Sequence, residues 1–233
     1  ALSEAFGSFR EAIKELLKDR TKQKQRAGSF AVEMLGKRLL SCPTAFAESW
    51  RRCRAGMRAE EAASEGEVEA ARRTLEDDND DDREAEVRNA TASGVVGAWM
   101  RNVAEELNAE IAAIDKAVAA LGFNTTTDTI TDQDPRYDAR FDALCALIEE
   151  RLIQGRKWRD DERMVIFTEY KTTLDYLLRR MRKRFDEERI ITLFGGMDDL
   201  QRDAMKATFN DGASPVRILL ATDAAAEGLN LQK

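Results

Sequence analysis

The 233-residue sequence predicts an α-helical region followed by a partial α/β unit built on a parallel sheet, with helix predominating overall. Three observations carry that prediction. Ala, Glu, Arg and Leu abound while the chain holds only 13 Gly and 3 Pro, a balance that favours helix. Up to about residue 121 the apolar residues recur three or four positions apart. After about residue 133, short β-rich apolar runs alternate with helical stretches, the order that builds βαβ units. The reading divides the chain into a helical region with a long arm over 1–132 and an α/β region over 133–233.

Taken in order, Phe6, Phe9, Ile13, Leu16 and Leu17 form the apolar stripe of a first amphipathic helix. A second stretch, roughly 27–40, carries Phe30, Met34, Leu35 and Leu39. Pro43 then opens a third, since proline is well tolerated in the first helical turn. Residues 94–121 hold the longest stripe, from Val96 and Met100 to Val118 and Leu121. At ~1.5 Å per residue it predicts one rod on the order of 40 Å long, with residues 60–92 as the nearest antiparallel partner. Between those arms, EDDNDDDREAE (76–86) reads as a solvated acidic turn, remote from any binding site and repelling nucleic acid phosphates. It is not a calcium loop: counting from Asp77, the sixth position is Asp82 where glycine is needed and the twelfth is Arg88 where glutamate is needed.

GFNTTTDTITDQDP is a linker by composition, closing on Pro135. A helix follows, with Phe141, Leu144, Leu147, Ile148 and Leu152 on one face. MVIFT (164–168), IITLF (190–194) and VRILLA (216–221) read as strands, with helices Leu174–Arg184 and Asp199–Asn210 between them.

Composition excludes whole classes of chemistry. The chain has no histidine, which removes Ser-His-Asp and Cys-His catalysis, the HExxH zinc site and an imidazole pH switch. Cys42, Cys53 and Cys145 are odd in number and widely spaced, and read as buried thiols of a reducing compartment. No apolar run approaches the roughly 20 residues of a membrane span, and the amphipathic N-terminus lacks the core of a signal peptide. A cytoplasmic protein with no membrane partner is expected. The net charge of −7, from 37 basic and 44 acidic side chains, does not support strong nucleic acid binding by this chain alone.

Ligands of open parallel sheets bind beyond the carboxyl ends of the strands. The segments to examine are therefore Thr168-Glu169-Tyr170, Gly195-Gly196-Met197, and Thr222-Asp223 with AAAEGLN after it. The paired glycines would let a phosphate or a neighbouring backbone approach, with the start of the Asp199 helix directing amides at it. Alone, Gly-Gly after a strand equally suits a tight turn, and Thr168 equally suits a helix cap.

Together, the three ends resemble a family. MVIFTEYKTTLDYL, ITLFGGMDDLQR and VRILLATDAAAEGLNLQ are similar to motif IV, the following glycine motif and motif V of superfamily 2 helicases, in the order found in their second RecA-like lobe. The pattern EG-x-N-x-Q (Glu227, Gly228, Asn230, Gln232) looks most like bacterial Swi/Snf-type ATPases, including the kind that recycles RNA polymerase. LLATDAAAEGLN is also similar to the DEAD-box motif V, with Glu227 where that group has arginine and Asn230 where it has aspartate. GKRLLSCPTAFAESWRR resembles the segment linking the two motor lobes in bacterial Swi/Snf proteins, and the arm at 60–121 would match that family's interlobe protrusions.

The resemblance implies roles for particular residues. Thr222 would hydrogen-bond a phosphate of a tracked DNA strand, Gly195 and Gly196 would hold a neighbouring phosphate through their amides, and Thr168 would be a third contact. Glu227, Gly228 and Asn230 would face the cleft where ATP lies against an N-terminal RecA-like lobe. ATP and Mg2+ would be bound mainly by that other lobe, and the DNA, expected to be double-stranded, would be held by its backbone. No GxxxxGK[ST] is present: Lys37 is followed by Arg38, and position 31 is alanine. DEER (186–189) and DDER (160–163) follow no apolar strand, which a Walker B acid requires. The expectation is a fragment of an ATP-dependent DNA translocase, cut before motif VI, with no catalytic residue of its own and inactive alone. The alternative is a non-catalytic helical interaction module whose α/β half binds phosphate or a nucleotide. The basic run Arg179–Arg184 is read as structural, facing Asp186–Glu188.

Overall fold

The computed structural model describes residues 1–76 and 81–226. They form two compact units. One takes residues up to 76 and 85–136; the other takes Asp81–Glu84 and 137–226.

The first unit is all helical. Helix α1 (Leu2–Leu17) buries Phe6, Phe9, Ile13 and Leu17, the stripe read from its spacing. Helix α2 (Lys22–Ser41) is capped by Thr21, whose hydroxyl accepts from the Lys24 amide. Helix α3 (Pro43–Met57) starts on its proline, with the Cys42 sulfur accepting from the Ala45 amide. Helix α4 (Glu65–Glu76) opens with a reciprocal capping box: Ser64 Oγ accepts from the Glu67 amide, and the Glu67 carboxylate accepts from the Ser64 amide at 2.8 Å. Trp50, Phe9 and Phe46 are fully buried, with the Trp50 indole donating to Asp115 at 2.8 Å.

The long rod expected over 94–121 is two helices. Helix α5 (Asp82–Met100) ends in a 3-10 turn at Arg101–Val103, and helix α6 (Asn108–Ala120) resumes after it. The break has a non-local cause. The Arg101 guanidinium donates to the carbonyls of Ala59 and Glu60, and the Asn102 amide donates to the Ala63 carbonyl. Val103, Leu107, Ile111, Ile114 and Val118 all stay buried through the bend, so the stripe persists although the rod does not. Helices α3 and α5 touch through glycine: a Cβ added at Gly97 would lie 2.1 Å from the Cys53 carbonyl oxygen.

Glu48 of α3 is a buried carboxylate held by Arg51 and Arg52, and it accepts from the Ile130 amide at 3.1 Å. Burial pushes its pKa up, but the Arg51 hydrogen bond and charge, the Ile130 amide and the Arg52 charge together hold it below its ordinary value. Burial alone pushes the Cys53 thiol up to about 12, which leaves it an inert packing group.

The second unit is a mixed α/β layer. Helix α7 (Ala139–Leu152) leads into a short antiparallel hairpin of β1 (Ile153–Gln154) and β2 (Lys157–Trp158), turned by Gly155 at φ +67°. Then follow β3 (Met164–Thr168), α8 (Lys171–Met181), β4 (Ile190–Leu193), α9 (Asp199–Asn210), β5 (Ile218–Thr222) and α10 (Asp223–Ala226). The three longer strands make a parallel sheet in the order β3-β5-β4, consistent with a partial RecA-like lobe. All five residues of β5 are buried, because helices cover both faces of the central strand. Ile218 and Leu220 pack with Phe141, Ile148, Leu174 and Met181 on one face; Leu219 and Ala221 pack with Phe209 on the other. The hairpin had no counterpart in the sequence reading, and α8 lies a few residues earlier than the expected Leu174–Arg184.

The basic run Arg179–Arg184 is occupied within this unit. Arg182 pairs with Glu187, Arg184 with Glu149, and the Arg180 guanidinium stacks over Phe141 at 4.0 Å.

Candidate nucleic-acid interface

The parallel register sets the site. Thr168, the last residue of β3, lies opposite Thr222, the last of β5. Leu193, the last of β4, lies opposite Ala221, so the chain leaving β4 passes beside Thr222. The Gly195 amide reaches the Thr222 hydroxyl at 3.3 Å. The sheet thus brings Thr168, Gly195, Gly196 and Thr222 to one end. Thr168 does not cap α8, whose N-cap position is Tyr170, with no side-chain cap bond. Gly196 has φ +82°, a left-handed conformation that glycine adopts without strain. Helix α9 is capped by Asp198, which accepts from the Gln201 amide at 2.9 Å, so the expected helix start at Asp199 carries its own internal acceptor.

One correction concerns the acidic run, read as remote from the strand ends. Asp82, in the first turn of α5, is buried, and its Oδ2 accepts from the Thr222 hydroxyl at 2.6 Å and from the Gly195 amide at 2.5 Å. Thr222 is fully buried beneath it. Asp81 caps α5, accepting from the Arg83 amide at 2.8 Å, and its carboxyl sits where a Cβ on Gly196 would be, 2.7 Å from that added atom. The Arg83 guanidinium lies 5.6 Å from the Phe194 ring centre, and the Lys171 ammonium lies 4.5 Å from the same ring. Sequence reasoning missed Asp82 because its partners are 113 and 140 residues away. Nothing in its local pattern sets it apart from its acidic neighbours.

An amide and a hydroxyl converging on one oxygen form an anion subsite that reads charge and position but no base identity. Both groups can donate to a phosphate oxygen as they donate here to a carboxylate oxygen. Elsewhere in the same unit, Tyr176 is locked by donating to Asp138 at 2.6 Å while the Arg180 guanidinium donates to its hydroxyl at 2.6 Å. Burial first, then the Asp138 hydrogen bond and charge, raise the Tyr176 pKa far above its ordinary value, so the phenol stays protonated and structural.

Glu227, Gly228 and Asn230, expected to face an ATP cleft, lie outside the described residues. Among the described residues no three His, Cys, Asp or Glu side chains converge to hold a metal ion. Among them, too, no helix is long and apolar enough to cross a membrane.

Residues 139–233 match the family described as "Helicase conserved C-terminal domain". Over 153 residues, 65% of the chain, the sequence is 30% identical to the pre-mRNA-processing ATP-dependent RNA helicase PRP5 of Pyricularia oryzae. Over 94 residues, 40% of the chain, it is 33% identical to eukaryotic initiation factor 4A-III homologs A and B of Oryza sativa subsp. japonica. The chain spans 14% of the first relative's length and 20% of each of the others. No solved structure matches the chain at a significant level. These similarities relate the α/β region to superfamily 2 helicases.

Proposed function

We propose that the α/β region serves as the second motor lobe of an ATP-dependent nucleic acid translocase of the bacterial Swi/Snf type. In this reading it grips one DNA strand by its phosphates. The observation that carries the proposal is the convergence of the Gly195 amide and the Thr222 hydroxyl on one anion position at the end of the parallel sheet. Thr168, beside Thr222 in register, and the Gly196 backbone extend the track along the strand. An N-terminal lobe would bind the triphosphate and its magnesium, and Glu227, Gly228 and Asn230 would close on it from this side. Such a division suits phosphoryl transfer, which depends on positioning and charge neutralisation from several directions. The helical region over 1–132 would be the interlobe protrusion.

The EG-x-N-x-Q pattern favours DNA. A second reading, an RNA strand, is favoured by the printed name of the Pyricularia relative. The test uses the parent protein carrying both lobes, with ATP turnover measured in the presence of double-stranded DNA, single-stranded DNA or RNA. Thr222→Ala should lower turnover stimulated by the cognate polymer about tenfold or more while sparing the basal rate, as loss of a charge-assisted contact predicts, and Gly228→Ala, on the ATP side, should impair the coupling of turnover to the polymer. Unchanged stimulation in both variants would sink the site assignment. Stimulation by RNA alone would replace the DNA reading.

A further inference from the structure

We infer that the acidic segment at the start of α5 is a built-in phosphate mimic that holds the strand-gripping subsite closed, a regulation that rests on the phosphate-grip reading above. The first argument is chemical identity of the contacts. Asp82 Oδ2 takes the two donors, the Thr222 hydroxyl and the Gly195 amide, that a phosphate oxygen would take. One carboxylate oxygen receiving two short hydrogen bonds from neutral donors is a charge-assisted pair, stronger than contacts between neutral groups.

The second argument is exclusion. Asp82, Gly195 and Thr222 are all buried, so no phosphate reaches these donors while the carboxylate is there. Asp81 fills the space over Gly196, where the absence of a Cβ would otherwise admit a ligand or a backbone. The third is that the neighbouring residues also fit this unit. The Arg83 guanidinium faces the Phe194 ring, one residue before the glycines. Asp81, Asp82 and Arg83 therefore match three consecutive features of the Phe194-Gly195-Gly196 turn. A solvated acidic loop needs none of these contacts.

A nucleic acid strand must then displace the segment to be gripped. Its apparent affinity is reduced by the fraction of molecules in which the segment is released. The segment sets a threshold that favours a long polyanion, which competes at many phosphates, over a free phosphate, which competes at one.

The experiment is fluorescence anisotropy on the 233-residue chain with a short fluorescein-labelled single strand, as DNA and as RNA, at fixed salt. Asp82→Ala should tighten binding about tenfold, the gain expected if the subsite is closed roughly nine-tenths of the time. Asp82→Asn keeps the shape, removes the charge and serves if the alanine variant does not fold. Glu76→Ala removes one charge from the same acidic run without touching the subsite and should leave binding within about twofold, since a single exposed charge contributes little. The gain from Asp82→Ala should vanish when Thr222→Val is added. Equal gains from Asp82→Ala and Glu76→Ala, or no gain from any Asp82 variant, would overturn the mimic. Thr222→Val weakening the Asp82→Ala chain would still leave the phosphate grip standing. A Thr222→Val substitution with no effect in that background would instead remove the grip itself.

Discussion

The hydroxyl of Thr222 donates a 2.6 Å hydrogen bond to the carboxylate of Asp82, 140 residues away in the chain. Both groups are buried, and the Gly195 amide completes the contact from the end of the neighbouring strand. Removing the hydroxyl while keeping its shape leaves a buried carboxylate with one donor fewer. Thr222→Val should therefore lower the stability of the α/β unit by about 1–3 kcal/mol, the cost of under-satisfying a buried charged group. Urea titration of the isolated chain checks it; an unchanged midpoint would mean the carboxylate is hydrated in solution.

Gly97 and Gly94 lie one helical turn apart on α5 but in different surroundings. A Cβ on Gly97 would overlap the Cys53 carbonyl oxygen of α3, whereas one on Gly94 meets nothing within 4 Å. Gly97→Ala should cost about 1–3 kcal/mol by forcing the helices apart. Gly94→Ala should be neutral or stabilise by up to ~1 kcal/mol through helix propensity. Thermal melts followed by circular dichroism separate the two, and equal melting temperatures would refute the close crossing.

Glu48 makes the helical unit sensitive to acid. Its folded pKa lies below the ordinary 4.5, so its contribution is fully present above about pH 4.5 and is lost as pH falls through the folded value. Glu48→Gln should weaken the unit near neutral pH, because Arg51 and Arg52 lose a buried partner, and should flatten the decline below about pH 4.5. The measurement is the urea midpoint as a function of pH. Parallel acid limbs in the wild type and the variant would show that other carboxylates set the slope.

Tyr176→Phe removes the donor that Asp138 receives and the acceptor that Arg180 uses. A loss of about 1–3 kcal/mol is expected, with the ring packing against Phe141 retained. Hydrogen exchange should rise at the first turn of α7, which Asp138 caps. Exchange unchanged there would show that the cap stands without the phenol.

The 233-residue chain alone should show no nucleic-acid-stimulated ATP hydrolysis. It contains no GxxxxGK[ST], and phosphoryl transfer needs such a cradle together with a metal ion and opposing charges. Phosphate release measured with and without DNA or RNA checks this, and turnover well above a buffer blank would contradict it.

The legible parts of the fold were those fixed by local pattern. The central strand was readable because burial on both faces demands the continuous apolar run of Ile218–Ala221. Thr168, Gly195, Gly196 and Thr222 were singled out as strand ends, and parallel register then gathers them at one end of the sheet. The break at Arg101 was hidden because the stripe from Val96 to Val118 continues through it, while its cause lies in the carbonyls of Ala59, Glu60 and Ala63. The β1–β2 hairpin was hidden because two-residue strands are too short to show a period. Asp82 was hidden for a third reason: a buried acid and a solvated one look alike until the distant donors are known.

The strand order has a consequence for synthesis on the ribosome. Among the described residues, strands β3 and β4 hydrogen-bond only to β5 within the sheet, and β5 is the last of the three to be made. Until Ile218–Thr222 leaves the exit tunnel, the two earlier strands have no neighbour in this sheet and their apolar faces stay uncovered. The helical unit, whose residues end near 136, can fold while the rest is still being translated. The nascent chain therefore passes through an interval in which one half is native and the other is a set of exposed strand edges, and that interval is when a chaperone would bind it.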